Sequence, residues 1–415
     1  MDNNIQQATP NLRFAGFKGP WKSTTLGHHI KEYKQLQKGG GSVPIATSSR
    51  RGLFLQGEYY SGDRSYVSED IQFKIVPRGY MTYRHMSDDS IFHFNINNIA
   101  DEVLVSPEYP VFTTNDTLST VFIHKYLNSS KRFRKFCEMQ KLGGTRTRLY
   151  FNKLVQFSLC LPSIEEQQKI ASFFSLLDQK IEKQQEKIEQ LELFKKGMLQ
   201  KIFSQEIRFR DENGQEFPDW DSSVLEEIGS FIRNYSFSRS VEGEGEYQHI
   251  HYGDIHSKLS GVITSQMGLP SLSIDTEATT YTLLKDGDVV FADASEDTSD
   301  LGKSVVLLEG GNRKIIGGLH THCFRPDSRL DSLFLHYFTQ TTEYRKFINV
   351  NANGVSVFGL SKPALSSLEV PLPDIKEQRK ISSFLYKLSQ KIELLKKKKT
   401  ELETMKKGFM NQMFV

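Results

Sequence analysis

The chain is poor in cysteine, and Cys137, Cys160 and Cys323 are far apart and in no Cys-x-x-Cys spacing. This excludes a disulfide framework or a zinc knuckle as the organising feature and favours a reducing compartment. No apolar run approaches the roughly 18 residues of a membrane span. The opening MDNNIQQATP lacks the basic and apolar regions of a signal peptide. We therefore expect a cytoplasmic protein with no membrane partner.

Catalytic motifs are also missing. Gly302-Lys303-Ser304 ends like a phosphate-binding loop, but Asp297 stands where that motif requires glycine. There is no Gly-x-Ser-x-Gly elbow and no Gly-x-Gly-x-x-Gly opening a helix. The Asp/Asn-Pro-Pro-aromatic sequence with which adenine methyltransferases hold a flipped base is absent as well. We expect a chain that is not an enzyme and holds no cofactor of its own.

Metal ligation is equally poorly supported. The two His-x-His pairs have no third ligand at a useful spacing, so we interpret them as strand or loop histidines. The histidine pairs are His249 with His251 and His320 with His322. An acidic stretch is interpreted as a solvated loop, and it contains Asp293, Glu296, Asp297 and Asp300.

What the sequence does contain is an internal repeat. Residues 161–203 align without a gap to residues 372–414 at an offset of 211, and 21 of the 43 positions are identical. The same offset pairs Tyr126 with Tyr337 and Gly143 with Gly354. With 415 residues, 38% of them hydrophobic, the chain is too long for one ordinary core. We interpret it as two copies of one module, each a globular region followed by a long helix.

The repeated segments predict a coiled coil. Apolar residues recur in alternating steps of three and four, interrupted at Gln184, Lys195, Lys399 and Lys406. Each helix of ~38 residues is about 57 Å long and needs a partner, so we expect the two to pair antiparallel about a pseudo-twofold axis. The seam residues are Ile170, Phe174, Leu177, Ile181, Ile188, Leu191, Ile381, Leu385, Leu388, Ile392, Leu395 and Leu402.

The globular regions are predicted to be mixed α/β. Runs at 71–76, 103–105, 288–291 and 304–308 are typical of strands, and runs at 119–138 and 331–348 are typical of helices. We expect globular domains at residues 1–158 and 205–369, with the helical regions at 159–204 and 370–415.

A basic segment marks the first globular region. Residues 123–153 contain nine lysines and arginines and one acidic residue, Glu138. A basic helix followed by a Gly-Gly-Thr-Arg-Thr-Arg loop suits DNA, with lysines on phosphates and arginines on phosphates or guanine edges. The alternative is a solvated helix face. The candidate DNA contacts here are Lys131, Arg132, Lys135, Lys141, Thr145, Arg146 and Arg148.

The corresponding segment 334–364 has only three basic residues. If both halves bind DNA, the second half must use other residues. We take Arg239, Lys303, Arg313 and Lys314 as its candidates.

The twice-occurring Leu-Pro-x-Ile-x-Glu-Gln-x-x-Ile-x-x-Phe, followed by a heptad helix ending in Lys-Lys-Gly, resembles the specificity subunits of type I restriction–modification systems. Leu12-Arg13-Phe14, Tyr252-Gly253-Asp254-Ile255 and Asp286-Gly287-Asp288-Val289 also resemble that family. The resemblance covers essentially the whole chain, although the variable regions match only at scattered positions.

The resemblance implies two target-recognition domains, each binding one half of a bipartite, asymmetric site on double-stranded DNA. It implies that the helices set the spacer length, so that four residues inserted near Gln184 would change it. It also implies two methyltransferase subunits docked on the helices and a restriction subunit. S-adenosylmethionine, ATP and magnesium are then expected on those partners and not on this chain.

Two other functions stay open from the residues alone. One is a coiled-coil scaffold whose globular parts bind proteins and not DNA, which predicts no salt-dependent binding to duplexes. The other is a nuclease or methyltransferase with an unrecognised site, which would modify DNA without partners.

Overall fold

The computed structural model describes residues 9–39, 41–59, 71–141, 145–259, 261–274 and 280–414. The chain divides into two units: unit 1 comprises 1–185 and 397–415, and unit 2 comprises 186–396. None of the helices in the described ranges has the length and apolar character needed to cross a membrane.

Unit 1 contains a four-stranded sheet of order β2-β11-β7-β9, a three-stranded sheet of order β10-β6-β3 and three strand pairs, β1-β13, β4-β5 and β8-β12. Its strands are β1 (Lys22–Thr25), β2 (Ile30–Glu32), β3 (Leu36–Lys38), β4 (Ala46–Ser49), β5 (Gly52–Leu55), β6 (Gln72–Pro77), β7 (Met81–Tyr83), β8 (Met86–Ser87), β9 (Phe94–Ile96), β10 (Glu102–Val105), β11 (Val111–Thr114), β12 (Thr147–Arg148) and β13 (Ser158–Leu161). Its helices are α1 (Gln56–Tyr59), α2 (Thr120–Ser129), α3 (Lys131–Glu138), α4 (Phe151–Leu154) and the long α5 (Ile164–Phe203), which continues into unit 2.

Unit 2 contains a five-stranded sheet of order β15-β23-β19-β21-β17, a three-stranded sheet of order β18-β16-β22 and two strand pairs, β14-β25 and β20-β24. Its strands are β14 (Asp221–Val224), β15 (Gly229–Ile232), β16 (Glu242–Ile250), β17 (Val262–Ile263), β18 (Ser271–Leu272), β19 (Val289–Ala292), β20 (Ala294–Ser295), β21 (Ser304–Leu307), β22 (Lys314–Gly317), β23 (Thr321–Pro326), β24 (Phe358–Gly359) and β25 (Glu369–Leu372). Its helices are α6 (Tyr252–Ser257), α7 (Ser332–Phe338), α8 (Thr342–Asn351), α9 (Lys362–Ser366) and the long α10 (Ile375–Met413), which ends in unit 1.

The two units share strand pairings at equivalent positions, which confirms the internal repeat. β1 pairs antiparallel with β13, placing Lys22 opposite Leu161, and β14 pairs with β25, placing Asp221 opposite Leu372. Leu161 and Leu372 are related by the offset of 211. Each of these pairs brings the start of the globular region to the strand that leads into the long helix.

The long helices pack antiparallel within each unit, as predicted. In unit 1 the Phe173 and Phe409 rings lie 5.3 Å apart. In unit 2, Ile188 packs with Ile392. Later in α5, Ile202 shares a core with Ile381. Positions on α10 fall as positions on α5 rise, so the helices run in opposite directions.

The Glu-Gln pair at the start of each long helix is buried and ties the helix to its globular region. In unit 2, Glu377 accepts hydrogen bonds from Arg208 Nη2 (2.7 Å) and Trp220 Nε1 (3.1 Å). Gln378 accepts from the backbone N–H of Asp331, just before α7, and donates to the carbonyl of Arg329. Unit 1 repeats the arrangement with Arg13 on Glu166 and the backbone N–H of Ser119 donating to Gln167.

Two predicted helices are each broken in two. The run 119–138 is α2 and α3, because Ser130 adopts an extended conformation and its side chain caps α3 by accepting from the N–H of Phe133. The run 331–348 is α7 and α8, and Thr341 caps α8 in the same way through the N–H of Tyr344. The predicted strands are present with shifts of at most one residue at their ends.

Candidate nucleic-acid interface

Arg146 and Arg148 lie at an exposed edge of unit 1 that we call the unit 1 tip, residues 145–148. β12 pairs antiparallel with β8, placing Thr147 opposite Ser87 and Arg148 opposite Met86. Side chains alternate along a strand. Thr147 therefore points inward, where its hydroxyl shares a 2.6 Å hydrogen bond with Ser90, and both arginines are exposed.

The two arginines differ in their surroundings. Arg146 Nε donates to Asp88 Oδ1 at 2.8 Å, and both side chains are more than half exposed. No carboxylate among the described residues forms an ion pair with Arg148. Burial lowers the pKa of the neighbouring His85 imidazole; the carboxylate of Glu108 opposes this shift, and the charge of Arg148 adds to it.

A cleft of about 630 Å³ in unit 1 is lined by the β4-β5 hairpin and the segment 84–93. It carries three exposed arginines that we did not predict: Arg50, Arg51 and Arg84. The cleft also includes Asp88, the partner of Arg146. The sequence signal for this cleft is the Arg50-Arg51 dipeptide followed by Gly52 at a hairpin turn.

α3 places its predicted basic residues on a solvated surface. Lys131, Arg134 and Lys135 are exposed, and Phe133 and Cys137 are buried beneath them. Arg132 is half-buried, and Lys141 is exposed. The Gly143-Gly144 part of the predicted loop lies outside the described residues.

In unit 2 the predicted basic residues are engaged with acidic or backbone groups. Arg239 contacts Asp254 at 3.0 Å and Glu242 at 3.2 Å. Lys303 pairs with Asp300, and Lys314 pairs with Glu246, each at 2.5 Å.

The fourth predicted residue, Arg313, forms hydrogen bonds within the fold of unit 2. Its guanidinium donates to the carbonyls of Thr264, Met267, Glu309 and Gly310. These bonds use its donors to join two loops of unit 2.

The unit 2 tip, residues 353–359, occupies the place equivalent to the unit 1 tip. β20 pairs with β24, placing Ser295 opposite Phe358 and Ala294 opposite Gly359. The same two pairs occur in unit 1 as Ser87 opposite Thr147 and Met86 opposite Arg148. The residue numbers of β20 exceed those of β8 by 208, and the residue numbers of β24 exceed those of β12 by 211. The register puts Val357 at the position of Arg146.

A second cavity, of about 690 Å³, lies within unit 2 between the long helices and the globular region. Lys195 Nζ donates to Gln340 Oε1 at 3.3 Å, and Gln340 Nε2 donates to His336 Nε2 at 2.8 Å. His336 Nδ1 then donates to Ser304 Oγ at 2.9 Å. Burial lowers the pKa of His336 to about 3, so its ring is neutral near pH 7 and serves as a link between hydrogen bonds.

Within the described part of the chain, no three His, Cys, Asp or Glu side chains come together as a metal site. His320 Nδ1 contacts Asp293 at 3.1 Å, and His249 Nε2 contacts Glu242 at 3.2 Å. These histidines therefore lie in strands and loops as hydrogen-bonding groups.

The predicted seam residues of the long helices differ in how far their side chains are buried. Ile170, Phe174, Ile188, Ile381, Leu385, Leu388, Ile392 and Leu395 are buried, whereas Leu177, Ile181, Leu191 and Leu402 are partly exposed.

Comparison with known proteins gives one consistent family. The model of the type I restriction modification DNA specificity domain matches residues 31–193 and 218–404. Two relatives from Methanocaldococcus jannaschii are each 24% identical. They are the type I restriction enzyme MjaVIII specificity subunit, matched over 60% of this chain and 60% of its own length, and the putative MjaX specificity subunit, matched over 83% and 80%. The match thus spans less than two thirds of the MjaVIII subunit.

Solved structures agree on the fold. The type I restriction–modification S subunit from M. genitalium superposes with a TM-score of 0.57 at 16% identity, covering 98% of this chain and 99% of that one. A chain from work on complex assembly and conformational transition of the type I R-M system gives 0.53 at 17% identity, covering 96% and 99%. Since the family model matches well over half of the sequence in two segments, the chain belongs to the family of type I restriction modification DNA specificity domains.

Proposed function

We propose that this chain is the non-catalytic specificity subunit of a type I restriction–modification complex, in which each unit binds one half of a bipartite, asymmetric DNA target. The observation that carries the proposal is the tip: the same strand pairing, in the same register, is built twice with different side chains. Equal frameworks with unlike residues suit the recognition of two unlike half-sites.

Charge and exposure support DNA as the ligand of unit 1. Arg146 and Arg148 are exposed at the unit 1 tip, and Arg50, Arg51 and Arg84 line the adjoining cleft. Arginines present paired donors that match guanine O6 and N7 in the major groove, and they also bind phosphates. The exposed lysines of α3 add phosphate contacts.

The other parts of the proposal concern partners. The long antiparallel helices set the spacer between half-sites and dock two methyltransferase subunits, and a restriction subunit joins the complex. S-adenosylmethionine, ATP and magnesium belong to those subunits. The chain acts in the cytoplasm, where its DNA substrate is found.

The test is selection of bound duplexes from a randomised library, using the chain assembled with its methyltransferase subunits. The Arg146→Ala/Arg148→Ala variant should lose base preference at positions of one half-site only, by about 1–3 kcal/mol for each lost base contact. Arg78→Ala is the matched control, since Arg78 also forms an exposed ion pair with an aspartate, Asp101, in unit 1. Equal loss in both halves, or unchanged preference in both, would contradict the assignment.

A further inference from the structure

We propose that the unit 2 tip recognises thymine through its 5-methyl group, with Val355 and Val357 as the contacting side chains. This inference rests on the proposed function, because it names the base chemistry of the second half-site. It assigns a specificity-determining role to residues with no charge.

The first support is position. The register of β20 with β24 matches that of β8 with β12, and the offset of 211 places Val357 where unit 1 has Arg146. If the unit 1 tip lies against DNA, the equivalent edge of unit 2 is the one presented to the other half-site. The same framework therefore offers an apolar group where unit 1 offers a guanidinium.

The second support is exposure. Val355 is 94% exposed and Val357 is 59% exposed, and they lie two residues apart on one short turn. Covering an apolar side chain that is exposed to water lowers the free energy of the system, which favours binding. Two exposed valines within three residues therefore leave apolar surface that a partner can cover.

The third support is rigidity. The N–H of Asn353 donates to the carbonyl of Gly359 at 3.0 Å, and the N–H of Gly359 donates back to Asn353 at 2.7 Å. Gly354 has φ +129, and a Cβ there would collide with the carbonyl of Val357. The paired hydrogen bonds hold the two ends of the tip together before any partner binds, which lowers the entropic cost of presenting the valines.

The chemistry then selects the base. Thymine is the base that shows an apolar group, its 5-methyl, in the major groove, and small apolar side chains contact it there. Residues 353–359, Asn-Gly-Val-Ser-Val-Phe-Gly, contain no charged side chain. The tip therefore has no guanidinium to bind guanine, and we infer an A·T pair in the half-site that unit 2 contacts.

The experiment uses the target duplex found by the library selection, with thymine replaced by deoxyuracil in one half-site at a time. Deoxyuracil removes only the methyl group and keeps every hydrogen-bonding atom. The wild-type complex should bind the duplex substituted in the unit 2 half-site about fourfold more weakly for each methyl that the tip buries. Val355→Ser/Val357→Ser should bind the thymine duplex more weakly and lose its preference over deoxyuracil.

Ile99→Ser is the matched control, since Ile99 is 45% exposed on a loop of unit 1, and it should retain the thymine preference. A unit 2 half-site without an A·T pair would overturn the inference, as would a thymine preference that survives in the double variant. Weakened binding of the methyltransferase subunits with unchanged DNA affinity would also overturn it and make the tip a protein contact. Failure of the proposed function is distinguishable, because the library would then yield no enriched sequence at all.

Discussion

At the scale of single residues, burial decides whether a charged side chain supports the fold or remains available to a ligand. Glu377 is fully buried, and its carboxylate is compensated by Arg208 and Trp220. Arg146 makes an ion pair with Asp88 in which both partners are largely exposed, a pair that contributes little to stability and can exchange for a phosphate or a base.

This contrast gives a stability prediction. Arg208→Met leaves the Glu377 carboxylate buried without its ionic partner, and it should lower the free energy of unfolding by about 3–5 kcal/mol. Arg210→Met removes the exposed pair with Glu216 and should change it by about 1 kcal/mol or less. Urea denaturation of both variants measures the difference; equal losses would mean that the Glu377 pair is not what holds α10 to its globular region.

The sequence predicted residue types better than residue environments. Arg146 and Arg148 were predicted as basic residues of a loop after a helix; both are exposed, and Arg148 lies in β12 whereas Arg146 precedes that strand. Arg313 was taken as a candidate for the second half without a local pattern around it, and its partners Thr264 and Met267 lie 49 and 46 positions away. Such contacts depend on the tertiary fold and leave no local pattern.

At the scale of elements, the periodicity of apolar residues predicted the long regular helices but missed the break between two capped short helices. The heptad pattern predicted α5 and α10 nearly to their ends, because an apolar stripe over many helical turns is buried most simply against a second long helix. The break at Ser130 was missed because its neighbours keep helical spacing on both sides. Strand order was not predictable, since the neighbours in β15-β23-β19-β21-β17 are distant in sequence.

The helices carry a prediction about the spacer. Insertion of four residues after Gln185 and four after Lys396 lengthens each helix by about 6 Å, at equivalent positions on the boundary between the two units along the chain. The preferred spacer should then grow by about two base pairs, at 3.4 Å each, while both half-site sequences stay the same. Library selection measures this, and four residues inserted in the exposed turn at 211–214 are the control. An unchanged spacer would remove the role of the helices in setting it.

At the scale of the whole molecule, the chain contains two copies of one fold whose exposed tip residues differ. The buried Glu-Gln pairs and the tip strands are repeated, whereas the tips present arginines in unit 1 and valines in unit 2. A homodimer of identical halves would bind a palindrome. Joining two unlike copies in one chain allows an asymmetric target.

The most direct test is a map of methylated adenines in DNA exposed to the chain with its methyltransferase subunits, alongside a variant in which residues 207–371 are replaced by a second copy of residues 12–160. The wild-type chain should direct methylation to a bipartite site with two unlike halves, and the variant to an inverted repeat of one of those halves. A single contiguous wild-type site, or a variant that keeps both original half-sites, would contradict the account.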